Sequence, residues 1–181
     1  MKILKEILLH KIIPYISYYE LEEFLTSLDF TPAEIAAIKS KEYNLRIRST
    51  RYENSIAYSL DTYRHREDGP AIEYAAGGEE YWVNGKLHRL DAPAIVDADG
   101  TQFWYVNGEL HRLDGPAVIY EDGPYEYWVD GKLHRLDGPA VHDDFVYQEW
   151  WVDGKLHRLD GPALIKESGD KEYWINGIRI K

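Results

Sequence analysis

Up to about residue 50 the apolar positions recur with helical spacing, and from there to Lys181 they alternate over short runs broken by turns. The helical part predicts helices near residues 2–13, 18–28 and 32–43. Ser17-Tyr18-Tyr19-Glu20 and Thr31-Pro32-Ala33-Glu34 both fit a capping box, in which the hydroxyl and the carboxylate satisfy each other's backbone amides. The second also has proline at the first helical position, where its missing N–H costs nothing. The first predicted helix carries Ile and Leu on more than one face, which suits a contact such as a homodimer. Residues 44–54 lead into an incomplete repeat, Ser55 to Tyr63.

From there the pattern repeats without insertion or deletion. Histidine falls at 65, 88, 111, 134 and 157, a spacing of 23 residues. Arginine follows at 66, 89, 112, 135 and 158, aspartate at 68, 91, 114, 137 and 160, and Pro-Ala begins at 70, 93, 116, 139 and 162. Asn-Gly or Asp-Gly stands at 84/85, 107/108, 130/131, 153/154 and 176/177, the dipeptide of a type I′ hairpin turn. Asp-Gly-Pro marks a second turn at 68–70, 114–116, 137–139 and 160–162. Gly77-Gly78, Asp99-Gly100, Asp122-Gly123 and Ser168-Gly169 mark a third, whose place in the fourth unit is taken by Phe145-Val146 and needs different turn chemistry. The expected architecture is α+β: a short N-terminal helical cap or docking module over residues 1–50, then a repetitive antiparallel β-hairpin array over 51–181, a meander advancing about 10 Å per hairpin.

A two-residue turn at Asn84-Gly85 predicts the register. Val83 faces Lys86, Trp82 faces Leu87, Tyr81 faces His88 and Glu80 faces Arg89. The last pair recurs as Glu126/Arg135, Glu149/Arg158 and Glu172/Lys181, opposite charges worth roughly 0.2–1 kcal/mol each.

Charge separates the two parts. Residues 1–50 carry seven basic and seven acidic side chains, and residues 51–181 carry 14 and 25, so the whole excess behind the net charge of −11 lies in the repeats. That balance excludes a general nucleic-acid binder, which needs cations against phosphate, and opposes docking on an anionic membrane. The apolar stretch Ile3 to Ile13 is interrupted by Lys5, Glu6, His10 and Lys11, so no membrane span and no secretory leader are expected. The absence of cysteine excludes disulfides, thiolate metal sites and a cysteine nucleophile, and fits a cytoplasmic location.

Asn84-Gly85-Lys86-x-His88, Asp130-Gly131-Lys132-x-His134, Asp153-Gly154-Lys155-x-His157 and Asn107-Gly108-Glu109-x-His111, at this period and behind an aromatic strand, resemble the MORN repeat. The likeness covers about residues 58–181. The chain departs from the family in lacking its strand glycine and in having Arg after His, and the Asp-Gly-Pro-Ala step resembles a variant in repeat proteins of phages and large DNA viruses. The resemblance implies an antiparallel array used for protein–protein contact, with no catalytic residue and no cofactor to carry over. If the viral likeness extends to use, it implies capture or inhibition of a host defence protein in the host cytoplasm.

Successive histidines spaced about 10 Å apart cannot share one zinc, whose ligands sit near 2 Å, so no metal is expected. The bland reading of the motif pairs His with the facing aromatic, Arg with Glu, and lets Asp cap the turn. Two aromatic columns are the better binding candidates. Column one is Tyr81, Trp104, Tyr127, Trp150 and Tyr173; column two is Trp82, Tyr105, Trp128, Trp151 and Trp174. Adjacent strand residues point to opposite faces, so each face has one column. Column two is the expected partner-binding strip, for a protein whose identity the sequence does not give. Two alternatives stand beside it: an acidic mimic of nucleic acid that inhibits a basic partner, and a small-ligand sponge or enzyme with a pocket at the junction of cap and array, near Arg46, Arg48 and Arg51. Carbohydrate stacking on the aromatic strips is a weaker fourth.

Overall fold

The computed structural model describes residues 16, 20–28, 30–143 and 147–181. The helix expected near 2–13 and Ser17 of the first capping box lie outside these residues. Helix α1, Leu21–Ser27, starts after Glu20, which makes no side-chain capping bond, so its described start is later than residue 18. Helix α2, Pro32–Arg46, has the expected capping box in full: the Thr31 hydroxyl accepts from the Glu34 amide at 3.3 Å, and the Glu34 carboxylate accepts from the Thr31 amide at 2.9 Å. Leu21, Leu25, Phe30 and Ile35 form a small buried core between the two helices, with Phe24, Leu28 and Ile38 packed around it.

α2 runs past residue 43 and passes without a loop into strand β1, Ile47–Arg51. β1 pairs antiparallel with β2, Ser55–Leu60, which turns through Asp61-Thr62 into β3, Tyr63–Arg64. Asp61 adopts φ +52°, the left-handed conformation that Asn84 adopts at +53° one period later. The incomplete repeat is thus a true first hairpin. Aspartate there tolerates positive φ almost as asparagine does.

The protein is α+β: among the described residues, two short helices are followed by a long antiparallel hairpin array. The expected simple meander is refined in one respect: each unit divides between two kinds of pairing. In the second unit Glu79–Glu80 and Ile95–Val96 join a 13-stranded sheet, while Trp82–Val83 and Lys86–Leu87 pair only with each other. The joint is the column-one aromatic. The Tyr81 amide donates to the Ala94 carbonyl at 2.7 Å and its carbonyl accepts from the His88 amide at 3.0 Å, so one strand serves the sheet on one side and the hairpin on the other. The hairpin register is the predicted one, Trp82 against Leu87 and Val83 against Lys86, repeated at Tyr105/Leu110, Trp128/Leu133 and Trp151/Leu156. Both turn residues have positive φ throughout, for example Asp130 at +47° and Gly131 at +68°, as a type I′ turn requires. Phe145-Val146 lie outside the described residues, and on either side of them the Asp143 amide donates to the Tyr147 carbonyl at 3.2 Å.

The expected pairs of Glu80, Glu126 and Glu149 with arginine do not form, because the chain leaves the hairpin after histidine, and Glu172 pairs with Lys166 at 2.6 Å in place of Lys181. The Arg89 amide donates forward to the Tyr105 carbonyl of the next unit at 3.0 Å, and Arg112, Arg135 and Arg158 do the same with Trp128, Trp151 and Trp174. The segment from Arg to Pro then leads to an alanine that is wholly buried. Ala71, Ala94, Ala117, Ala140 and Ala163 are each 0% exposed. Each ties three strands together: the Ala140 amide donates to Glu149 and its carbonyl accepts from Tyr127, both at 2.7 Å. A wholly buried alanine leaves little room for a larger side chain. Ala140→Leu is therefore expected to destabilise the protein by about 1–3 kcal/mol, the usual cost of overpacking, read as a lower urea midpoint at unchanged slope.

Candidate functional site

The histidine ladder is an inter-repeat fastening. Each imidazole Nδ1 accepts the backbone amide of the turn residue one unit on: His65 from Asn84 at 3.0 Å, His88 from Asn107 at 3.1 Å, His111 from Asp130 at 3.2 Å, His134 from Asp153 at 3.3 Å and His157 from Asn176 at 3.1 Å. Each histidine also stands opposite its facing aromatic as expected, the His88, His111, His134 and His157 amides donating to the Tyr81, Trp104, Tyr127 and Trp150 carbonyls at 2.9–3.0 Å, and the inter-unit bond is added because a type I′ turn leaves its first amide free of its own hairpin. The Asp130 and Asp153 carboxylates also approach His111 and His134 Nδ1 at 2.8 and 2.9 Å. Among the described residues no group of three His, Asp or Glu side chains is placed to hold a metal ion.

Arginine lies flat on column one. The guanidinium carbons of Arg66, Arg89, Arg112, Arg135 and Arg158 stand 3.8–4.1 Å from the ring centroids of Tyr58, Tyr81, Trp104, Tyr127 and Trp150. Nη1 of each donates to the carbonyl of the proline four residues on, as from Arg135 to Pro139 at 3.2 Å. Nε donates to the aspartate two residues on in the four Asp-Gly-Pro units, at 2.8–2.9 Å. That pairing holds the Asp114, Asp137 and Asp160 carboxyls below their ordinary range. Glycine follows because a Cβ at Gly138 would meet Arg135 Cζ at 2.9 Å. The exception is Asp91-Ala92-Pro93, where Arg89 keeps its ring and its proline carbonyl but forms no ion pair with Asp91.

Column two lies on the opposite face and is half-buried along its length. The indoles of Trp82, Trp128, Trp151 and Trp174 donate to the glutamate two residues earlier, Glu80, Glu126, Glu149 and Glu172, at 2.6–3.1 Å. Tyr105 follows Phe103 and has no such acceptor. The Tyr74, Tyr120 and Tyr147 hydroxyls supply further donors to Glu80, Glu126 and Glu149. Burial and the adjacent Glu149 carboxylate push the Tyr147 hydroxyl up to about 12.

On the loop face, the residue between Arg and Asp points outward. Leu90, Leu113, Leu136 and Leu159 are 71–80% exposed, one per unit. Between loops run three grooves of about 470–540 Å³, each floored by a column-one ring and a strand valine and walled by the arginines, aspartates and intervening residues of two loops: Glu67 and Leu90, Leu90 and Leu113, and Leu136 and Leu159. Sequence reading did not single out these leucines. The available signal was that Leu stands in four His-Arg-x-Asp units and Glu67 in the first, a substitution no loop-forming role explains.

The cap meets the array through Tyr43 of α2. Its ring packs edge-on against His65 at 5.7 Å, and its hydroxyl accepts the Glu67 amide at 3.1 Å. His65 is 1% exposed, and burial lowers its pKa. A cleft of about 780 Å³ opens beside this contact, with Phe30, Ile35 and Ala36 in its wall and a Lys39–Glu22 ion pair of 2.7 Å at its lining. Arg46, Arg48 and Arg51 do not line it. Arg46 instead bonds Glu42 at 3.2 Å and approaches Asp61 at 3.6 Å, tying α2 to the first hairpin turn. No protein-family model matches the chain, and no curated protein matches it either.

Two outcomes follow from this geometry. Gly138→Ala crowds the Arg135 guanidinium and should break its pair with Asp137 while leaving it on its ring, as at Arg89 beside Ala92, so the Asp137 carboxyl is expected to titrate back toward about 3.9 in an NMR pH series. In the wild type that ion pair stabilises above the ordinary carboxyl pKa and is lost as pH falls through the lowered folded value. The sign for His65 is also fixed. Its folded pKa lies below about 6.5, so the unfolded chain binds the proton first and stability falls as pH drops from that value toward the folded one. His65→Gln, whose amide oxygen can still accept, should reduce the stability loss between pH 7 and 5 in parallel denaturation curves.

Proposed function

We propose that this chain is a non-enzymatic protein-binding array, MORN-like in its repeat, which presents its loop face to a partner. One observation carries the reading: leucines 71–80% exposed stand in four of the five units along a face whose repeated histidines and arginines are engaged within the array. Large aliphatic side chains held in water in a regular line are a feature of contact surfaces. His, Arg, Asp, Pro and Ala have structural partners within and between units, which supports reading the motif as framework. The array spaces the leucines evenly, and an even row suits an elongated partner. Capture or inhibition of a host protein is the use we propose should the chain be viral, following the repeat's likeness to phage and large-virus proteins.

A second reading, the acidic mimic, draws on another edge. Asp97, Asp99, Glu121, Asp122, Glu167 and Asp170 crowd the third turns and are exposed, and burial together with the neighbouring Asp99 and Glu80 charges raises the Asp97 carboxyl. A partner held by that edge would be lost steeply on raising salt, whereas one held by the leucine column would keep most of its affinity.

Affinity purification from the native source with the full chain as bait tests the proposal. The expected result is one partner at stoichiometric yield, retained at 0.5 M salt on the order of the screening needed to suppress surface charge. Recovery of no stoichiometric partner over repeated preparations, or turnover of a small molecule by the purified chain, would overturn it.

A further inference from the structure

The exposed leucines raise a sharper question, which rests on the protein-binding reading: what kind of segment do they receive? Loop formation does not require them. The first unit has Glu67 in the same place and still forms the Arg66–Asp68 pair at 2.9 Å, the Arg66–Tyr58 stack at 4.0 Å and the His65–Asn84 bond at 3.0 Å. Leucine at the other four units is therefore surplus to the framework.

Charge distinguishes between occupants. Arg112, Arg135 and Arg158 are only 20–25% exposed, pressed on their rings, whereas Asp114, Asp137 and Asp160 are 83–84% exposed. An approaching surface therefore meets leucine and carboxylate, not a balanced ion pair. A second copy would bring the same carboxylates and a net charge of −11 against them. A partner with apolar and basic side chains on one face is complementary.

Spacing and precedent give that partner its form. Successive loops are two strand widths apart, about 9.5–10 Å, and a helix rises about 10.5 Å in seven residues, so a heptad places one side chain per groove with little drift over four units. The chain already sets a helix beside such a loop, since α2 packs Tyr43 on His65 and on the Glu67 amide. At that unit, where the chain's own helix lies, the leucine is replaced.

We propose that Leu90, Leu113, Leu136 and Leu159 form a docking ridge for a basic amphipathic helix of a partner protein, whose apolar side chains enter successive inter-loop grooves at heptad spacing while its Lys or Arg side chains face Asp114, Asp137 and Asp160. The ridge extends along the array the kind of contact that α2 makes at its first unit.

The test uses the full chain and a fluorescein-labelled synthetic peptide of four heptads, with leucine at every seventh position and lysine flanking it. One control peptide has the same composition with leucines at alternate positions, and another has Glu for Lys. Anisotropy should show the heptad peptide binding at least tenfold tighter than either control. The L113S/L136S/L159S variant should lose at least tenfold. These side chains are exposed, so its circular dichroism should match the wild type; should it not, the single Leu136→Ser variant with a several-fold loss carries the same decision. D137N/D160N should weaken binding several-fold and reduce its salt dependence. Equal binding of the rearranged peptide, or binding indifferent to the leucine substitutions, would overturn the proposal. So would a wild-type dimer in sedimentation that the serine variant dissolves, since a second copy would then be the occupant. A stoichiometric partner in the affinity purification alongside failure of the heptad peptide would leave the binding function standing and remove only the helix.

Discussion

The array depends on one bond made five times: a turn amide of one unit donated to the imidazole of the unit before. A type I′ turn leaves its first amide without a partner inside its own hairpin, and an unpaired amide packed against another unit is costly. Histidine Nδ1 satisfies it at 3.0–3.3 Å in every unit. Two backbone bonds flank it, from the turn glycine to the preceding unit and from arginine forward to the next, such as Gly131 to Leu110 at 3.0 Å and Arg112 to Trp128 at 3.0 Å. Three bonds fixed at once leave no freedom for an inserted residue, which is the physical reason the 23-residue spacing never slips. It also accounts for the hairpins, each only two residues deep, holding together: an isolated hairpin of that length is marginal in water, but a stack of them cross-linked by amides is not isolated.

A sheet one layer thick has little interior, and the repeat supplies substitutes. After each Arg-to-Pro loop comes a wholly buried alanine, the zero-exposure column Ala71 to Ala163. The arginine that crosses this loop stacks its guanidinium on the column-one ring while its Nη1 bonds the proline carbonyl, so its charge is largely withdrawn from solvent. On the other face, glutamates that would otherwise sit unpaired against aromatic surface accept indole and phenol protons. The net result is a structure whose polar side chains are consumed by the framework on both faces, with the acidic excess pushed out to the third turns and to the aspartates beside the leucines.

Much of this was legible in sequence, and the reason is strict repetition. The turn dipeptides determined the hairpin register, since Asn-Gly and Asp-Gly admit few backbone conformations. The Thr31 capping box set the start of α2, because its two reciprocal bonds are local. Non-local choices were not legible. Glu80 and Arg89 stand opposite by counting, yet the strand departs after His88, and only the position of the next unit reveals that its amide is wanted there. The same ignorance hid the histidine bond, whose donor is 19 residues away. Exposure was the other blind spot. Trp draws attention in a sequence, but Trp128 and Trp151 are half-buried and hydrogen-bonded, while Leu136 looks like core and stands 80% exposed.

That inversion separates framework from surface within a single repeat. A side chain needed for stacking must be present wherever a unit meets another, and His65, Arg66, Asp68, Pro70 and Ala71 satisfy this even at the unit where the cap intervenes. A side chain needed only for an external contact is free to change where that contact is already taken. Residue 67 is the position that changes: it is glutamate where α2 packs, and leucine where the face is open to water. Leaving four leucines in solvent forgoes on the order of 1.5–3 kcal/mol of burial each, and nothing in the loop requires it. That cost recurs at a fixed interval and is absent at the unit whose loop amide bonds Tyr43 of α2, where the side chain at the same position is the glutamate Glu67, itself 58% exposed.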